Sequence, residues 1–207
     1  DGRFVLDAGP PQPKKLALLG VRPCDLAALA VQDRVFGVDE ESFRCESDTY
    51  YLEGRRQVLL IAVNCTDPAS TCFCASMGTG PQARENFDLA LTELRSGFVV
   101  DVGSERGAEL AKQLSLREPS STEKELAELK LTQAAEHMGR ELDTDGMVEL
   151  LDKAVEHPHW DEVAKRCLSC GNCTMVCPTC FCSTVIDSTD ITGKSVTRTR
   201  QWESCYT

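Results

Sequence analysis

The stretch Cys167-Leu-Ser-Cys170-Gly-Asn-Cys173-Thr-Met-Val-Cys177-Pro178 constrains this chain more than any other feature. It has the spacing C-x2-C-x2-C-x3-C-P, the run that wraps an iron-sulfur cube. Two intervening residues let successive thiolates turn toward one cluster. Gly171 relaxes the backbone in that turn, and Pro178 redirects the chain after the fourth thiolate. Four-cysteine zinc sites also use C-x2-C hooks, but they usually pair two hooks across a longer spacer, so the spacing favours 4Fe-4S over zinc. In two-cluster modules of this kind the fourth cysteine serves the other cluster, and a second run supplies the missing ligand. This chain has no second run. Cys180, Cys182 and Cys205 follow instead, as further ligands or as ordinary buried thiols.

The chain holds 12 cysteines in 207 residues, too closely clustered for a disulfide framework. A second set lies upstream. Lys15 to Gly20 reads as a short buried strand, Asp25 to Phe36 as a helix with Asp25 near its start, and Val58 to Val63 as a second buried strand. Strand, helix, strand implies a βαβ unit with parallel strands, which puts Cys24 and Cys65 at one carboxyl edge of the sheet. The loop after Cys65 carries Cys72 and Cys74 and then Gly78-Thr79-Gly80-Pro81. Four thiols at one edge form a candidate cluster site; scattered apolar-packing cysteines, or zinc, are the alternatives. The Gly78, Thr79 and Gly80 amides form a candidate cofactor-binding loop, with a plain turn as the competing reading. Cys45 stands apart in a polar loop, and His137, His157 and His159 read as surface residues. Arg55-Arg56, Arg198 and Arg200 read as solvated cations, or as positive charge near a cluster.

Residues 88 to 94 and 98 to 102 around Arg95-Ser96-Gly97 predict a β-hairpin, and Ser104 to Leu114 a helix that closes a first domain, 1–116. Arg117 to Ser121 reads as a linker, and Thr122 with Glu125 has capping-box spacing. Ala127, Leu131, Ala134, Ala135 and Met138 repeat at helical intervals, as do Met147, Leu150, Leu151, Ala154 and Val155. The fold class expected is therefore an α/β N-terminal domain, a βαβ unit plus hairpin, followed over 117–207 by a mainly α-helical, ferredoxin-like iron-sulfur domain. A net charge of −11 argues against nucleic-acid or anionic-membrane partners. No apolar run has the length of a membrane span, and the reading is cytoplasmic. The opening at Asp1 and the finish at Thr207 read as those of a fragment, truncated at its C-terminus.

The segments Gly20 to Leu29, Val63-Asn64-Cys65, Cys72 to Pro81, Cys167 to Cys182 and Arg200 to Cys205 together resemble the 4Fe-4S dicluster family. That family includes the iron-sulfur beta subunit of cytoplasmic sulfhydrogenases and an iron-sulfur subunit of anaerobic sulfite reductase. The resemblance implies one or more 4Fe-4S clusters and an electron-transfer subunit. Flavin would reside only on a partner, which oxidises NAD(P)H; a second partner, of hydrogenase or sulfite reductase type, would be the catalyst. No residue of this chain is then assigned a catalytic acid, base or nucleophile. Two other functions compete: a flavin- or substrate-binding oxidoreductase domain at Gly78 to Pro81, and a zinc-stabilised scaffold subunit.

Overall fold

A computed structural model describes residues 14–37 and 47–203; Cys45 and Cys205 lie outside the described residues. The chain divides into two compact units, 1–144 and 145–207.

The first unit is built on a mixed four-stranded sheet of order β1-β2-β3-β4, from β1 (Leu16–Val21), β2 (Val58–Val63), β3 (Leu89–Leu94) and β4 (Gly97–Val102). β1 pairs with β2 and β2 with β3 in parallel, whereas β3 and β4 form the expected antiparallel hairpin. Parallel pairing of β1 and β2 requires a crossover, supplied by α1 (Pro23–Phe36) and α2 (Thr49–Gln57). The register slips between Leu19 and Val21, and Gly20 takes φ 92°, a left-handed value that glycine adopts without strain. Leu26, Leu60, Ala62, Ala83 and Ala90 form the core, with Val21, Leu29, Val58 and Phe87 packed against it.

Polar groups tie the crossover down. The Arg55 guanidinium donates to both Asp33 carboxylate oxygens (3.0 and 3.1 Å) and the Tyr51 hydroxyl donates to the same carboxylate (2.8 Å), joining α2 to α1. Arg55 is thus an ion-pair residue rather than a solvated cation. Asp88, at the entry to β3, accepts from the Leu60 amide (2.7 Å), the Ser104 hydroxyl (2.6 Å) and Arg106 (2.8 Å). Burial raises the Asp88 carboxyl, but these donors outweigh it and hold the group below the usual carboxylate range.

α3 (Glu105–Gln113) follows β4, and α4 (Ser121–Glu136) packs on β3 and β4. Ala127, Leu131 and Ala134 are the buried residues of α4, the stripe expected from the periodicity. The compact unit therefore runs to 144 rather than ending at 116, because the helix beyond the Arg117–Ser121 linker folds back on the sheet. The capping box of α4 is Ser120 with Glu123, two residues before the Thr122 and Glu125 expected. Arg117 also grips Glu123, which holds its carboxyl down at about 2. Asp25 lies in the first turn of α1, which begins at Pro23, and supports the helix start by accepting from the amide of the N-cap residue Arg22 (3.0 Å).

The second unit holds α5 (Met147–Lys153), α6 (His159–Arg166), α7 (Asn172–Val176) and an antiparallel hairpin, β5 (Ser183–Thr189) with β6 (Val196–Trp202). The hairpin is an element that the expectation of a mainly helical region over 117–207 did not include. Asp187 and Arg198 are directly opposed in it, with two 2.7 Å hydrogen bonds, so Arg198 is paired across the strands. Among the described residues no helix is long and apolar enough to cross a membrane.

Candidate metal centres

In the second unit the cysteine run begins where α6 ends. Cys167 is the C-cap of α6, in extended conformation, and its sulfur accepts from the Ser169 amide at 3.4 Å. Ser169 at φ 48° and Gly171 at φ 69° make the reversals between hooks, the latter as the N-cap of α7. Cys173 lies on that single turn of helix, which the Thr174 hydroxyl braces on the Gly171 carbonyl (2.7 Å). Cys177 caps its C-terminal end, and Pro178 carries the chain onward to Cys180 and Cys182. The Cys177 sulfur lies 3.1 Å from the Thr179 hydroxyl. That contact, then the Thr179 amide and Cys180, hold the Cys177 thiol below its ordinary value.

None of the six cysteines from Cys167 to Cys182 is in a disulfide, and none of the six is buried. They are available to ligate. The donor chemistry, four thiolates on a backbone folded into successive reversals with amide and hydroxyl groups aimed at sulfur, fits an iron-sulfur cube. Among the described residues, no three His, Cys, Asp or Glu side chains converge tightly enough to hold a single metal ion.

Residues 166–207 match the family described as the 4Fe-4S dicluster domain. The chain carries a 4Fe-4S dicluster domain. It is also 34% identical, over 194 residues, to "Sulfhydrogenase 2 subunit beta" of Pyrococcus furiosus, a match that takes in 93% of this chain and 55% of the relative. The chain thus spans about half the length of that curated relative, and no solved structure matches it. The dicluster domain contains every cysteine from Cys167 to Cys205, and 4Fe-4S clusters are its cofactors.

The other cysteines lie in the first unit, outside the dicluster domain. Cys24 is the second residue of α1 and Cys65 lies two residues beyond β2. Asn64, almost fully buried just beyond β2, makes four hydrogen bonds or close approaches that the sequence alone did not single out. Its amide donates to Leu91 (2.8 Å) and its side chain to Thr92 Oγ1 (2.9 Å), while its Oδ1 accepts from the Ala83 amide (2.7 Å). Arg22 places its guanidinium near the Asn64 carbonyl (3.5 Å) and that of Val63 (3.4 Å). The signal for Asn64 was its place, an amide side chain at the end of a buried parallel strand.

Gly78, Thr79 and Gly80 form the turn that follows Cys74, with the Thr79 amide on the Cys74 carbonyl (3.0 Å). Gly80 backs directly onto the Cys74 side chain: a Cβ there would stand 2.7 Å from the sulfur.

Proposed function

We propose that this chain is an electron-relay subunit. Its clusters take single electrons from a flavin-bearing partner that oxidises NAD(P)H, and deliver them to a catalytic partner of hydrogenase or sulfite reductase type. A hydride carries two electrons and a 4Fe-4S cube accepts one, so the flavin divides the pair and the cubes pass the electrons on singly. The observation that carries this reading is the dicluster domain at 166–207, within a chain similar over most of its length to a sulfhydrogenase beta subunit.

In this reading Cys167, Cys170, Cys173 and Cys177 are the principal ligands, and Cys180, Cys182 and Cys205 complete the dicluster site. The domain is ferredoxin-like in its ligand run and departs from a purely helical one in its β5–β6 hairpin. The chain's own groups contribute spacing and hydrogen bonds to sulfur rather than bond-making chemistry, and the site of action is the cytoplasm.

The test is anaerobic purification followed by iron and acid-labile sulfide analysis and electron paramagnetic resonance after reduction by dithionite. Rapid mixing with a reduced flavodehydrogenase then follows bleaching of the cluster absorbance. The relay predicts about four irons per cube, one-electron reduction, and loss in Cys170→Ser of the iron and the signal that residues 166–207 hold. A colourless chain carrying zinc would overturn it.

A further inference from the structure

The carboxyl edge of the sheet brings together two parts of the chain that the dicluster domain does not use. Parallel pairing of β1 with β2 aligns Leu19 with Ile61 and Val21 with Ala62, so Cys24 and Cys65 emerge at the same edge. The loop after Cys65 closes at its root, where the Cys65 amide donates to the Pro81 carbonyl (3.0 Å) and the Ala83 amide to Asn64 Oδ1 (2.7 Å). Cys72 and Cys74 ride on that closed loop, shaped by the Cys72 amide on Ala69 (3.0 Å) and the Ser76 amide on Phe73 (3.1 Å).

Gly80 shows where the two parts meet. A Cβ placed on it would lie 2.7 Å from the Cys74 sulfur and 3.6 Å from Cβ of Pro23, the residue next to Cys24. The chain that leaves α4 straps the loop from the other side: the Arg140 amide donates to the Cys72 carbonyl (2.9 Å) and the Leu142 amide to the Ser76 hydroxyl (3.1 Å). Gly139 there is so close to Ser70 that any Cβ would collide with its backbone. Met138 brings its sulfur to 4.0 Å from that of Cys74.

The four thiols are not apolar filler, because Cys24 is exposed and Cys65, Cys72 and Cys74 are only half-buried, whereas packing cysteines are among the most buried residues.

We propose that Cys24, Cys65, Cys72 and Cys74 hold a 4Fe-4S cluster of their own at the sheet's carboxyl edge, one thiolate to each iron. Each thiol releases its proton to solvent as its sulfur binds iron. Four thiolates on a core of charge 2+ give the oxidised site a net charge of −2. Arg22, anchored on the carbonyls of Val63 and Asn64, supplies positive charge beside Cys65. Gly80 keeps the wall behind Cys74 free of a side chain, and Asn64 fixes the root of the loop. The site is independent of the relay reading, since ligation does not require electron flow.

The test uses the full chain, purified anaerobically, with iron, sulfide and zinc measured per chain and spectra taken after dithionite reduction. Cys24→Ser and Cys74→Ser should each remove the same share, about four irons and four sulfides, and the same paramagnetic signal. The double variant should remove no more than either alone. Cys170→Ser should remove a different share and a different signal. Gly80→Ala leaves all four ligands in place and should lower the same iron share as Cys24→Ser, so it decides the matter if the serine variants fail to fold. Iron unchanged in Cys24→Ser, Cys74→Ser and Gly80→Ala, or zinc in place of that share, overturns the site. If Cys170→Ser alone leaves iron unchanged, the relay reading fails and this one stands.

Discussion

Asn64→Ala tests whether the sheet edge is held by one side chain. The substitution strands two groups, the Ala83 amide and the Thr92 hydroxyl, in residues that are 7% and 1% exposed. A buried donor or acceptor without a partner costs about 1–3 kcal/mol. The amide cannot turn away and bears the larger part, while the hydroxyl rotates and recovers some, so the sum is about 3 kcal/mol. At about 1.4 kcal/mol per tenfold, amide hydrogen exchange at Ala83 should accelerate roughly a hundredfold. With a urea slope of about 2 kcal/mol per molar, the unfolding midpoint of the sheet unit should drop by about 1.5 M. Thr92→Val in the same background removes the stranded hydroxyl and should restore about 1 kcal/mol. Ala83 protection unchanged in Asn64→Ala, together with a midpoint shift below about 0.5 M, would refute the reasoning.

Three further outcomes are expected. Asp88 has its carboxyl held below the ordinary range when folded, so its stabilisation is full above the unfolded value near 3.9 and is lost as pH falls through the folded one. Urea titrations from pH 6 down to pH 2 should show that loss, and Arg106→Gln should flatten it; parallel curves for the two proteins would exclude the pair as the cause. Thr179→Val removes the hydroxyl 3.1 Å from the Cys177 sulfur, and under the proposed ligation by Cys177 it should make the cluster's reduction potential more negative, with Thr179→Ser restoring it. Potentiometric titration reads the shift, and equal potentials in all three proteins would contradict it. Ser120→Ala removes the N-cap of α4 and should cost about 1 kcal/mol, seen as earlier thermal loss of helical circular dichroism; an unchanged midpoint would mean that Arg117 and Glu123 hold the helix start alone.

The strong periodicities were legible in the first unit but not in the second, where α5 stops at Lys153 and buries no residue, so that Leu150, Leu151 and Val155 of the expected stripe are exposed. Val58 to Val63 is a strand with the bounds that its β-branched run suggests, and the stripe of Ala127, Leu131 and Ala134 is the buried face of α4. The hairpin around Arg95 and Ser96 was legible too, because a short turn with glycine between apolar segments leaves few alternatives. The β5–β6 hairpin was not, since its strands are rich in Ser, Thr, Arg and Asp and expose nearly every residue, which removes the apolar alternation that marks a strand. Its signals were β-branched content and the Asp190 to Ser195 turn, where Asp190 accepts from the Lys194 and Ser195 amides. α2 escaped because it has no buried residue; only Asp48, whose side chain caps it, marked its start. In the candidate site, sequence reading picked out the thiols and the loop of Gly78, Thr79 and Gly80, but not Asn64, the wall that Gly80 makes behind Cys74 or the strap at 139–142. Those depend on contacts between residues far apart in sequence, which local pattern does not encode.

The strap has a consequence for how the molecule is made. The loop that bears Cys72 and Cys74 is finished on one side by Asn64 and Pro81, which emerge with it during synthesis, and on the other by Gly139, Arg140 and Leu142, which emerge much later. Until α4 has left the ribosome and docked, that loop has only one wall. The order of translation thereby leaves the loop walled on one side only until the last helix of the unit has docked and residues 139–142 supply the other wall.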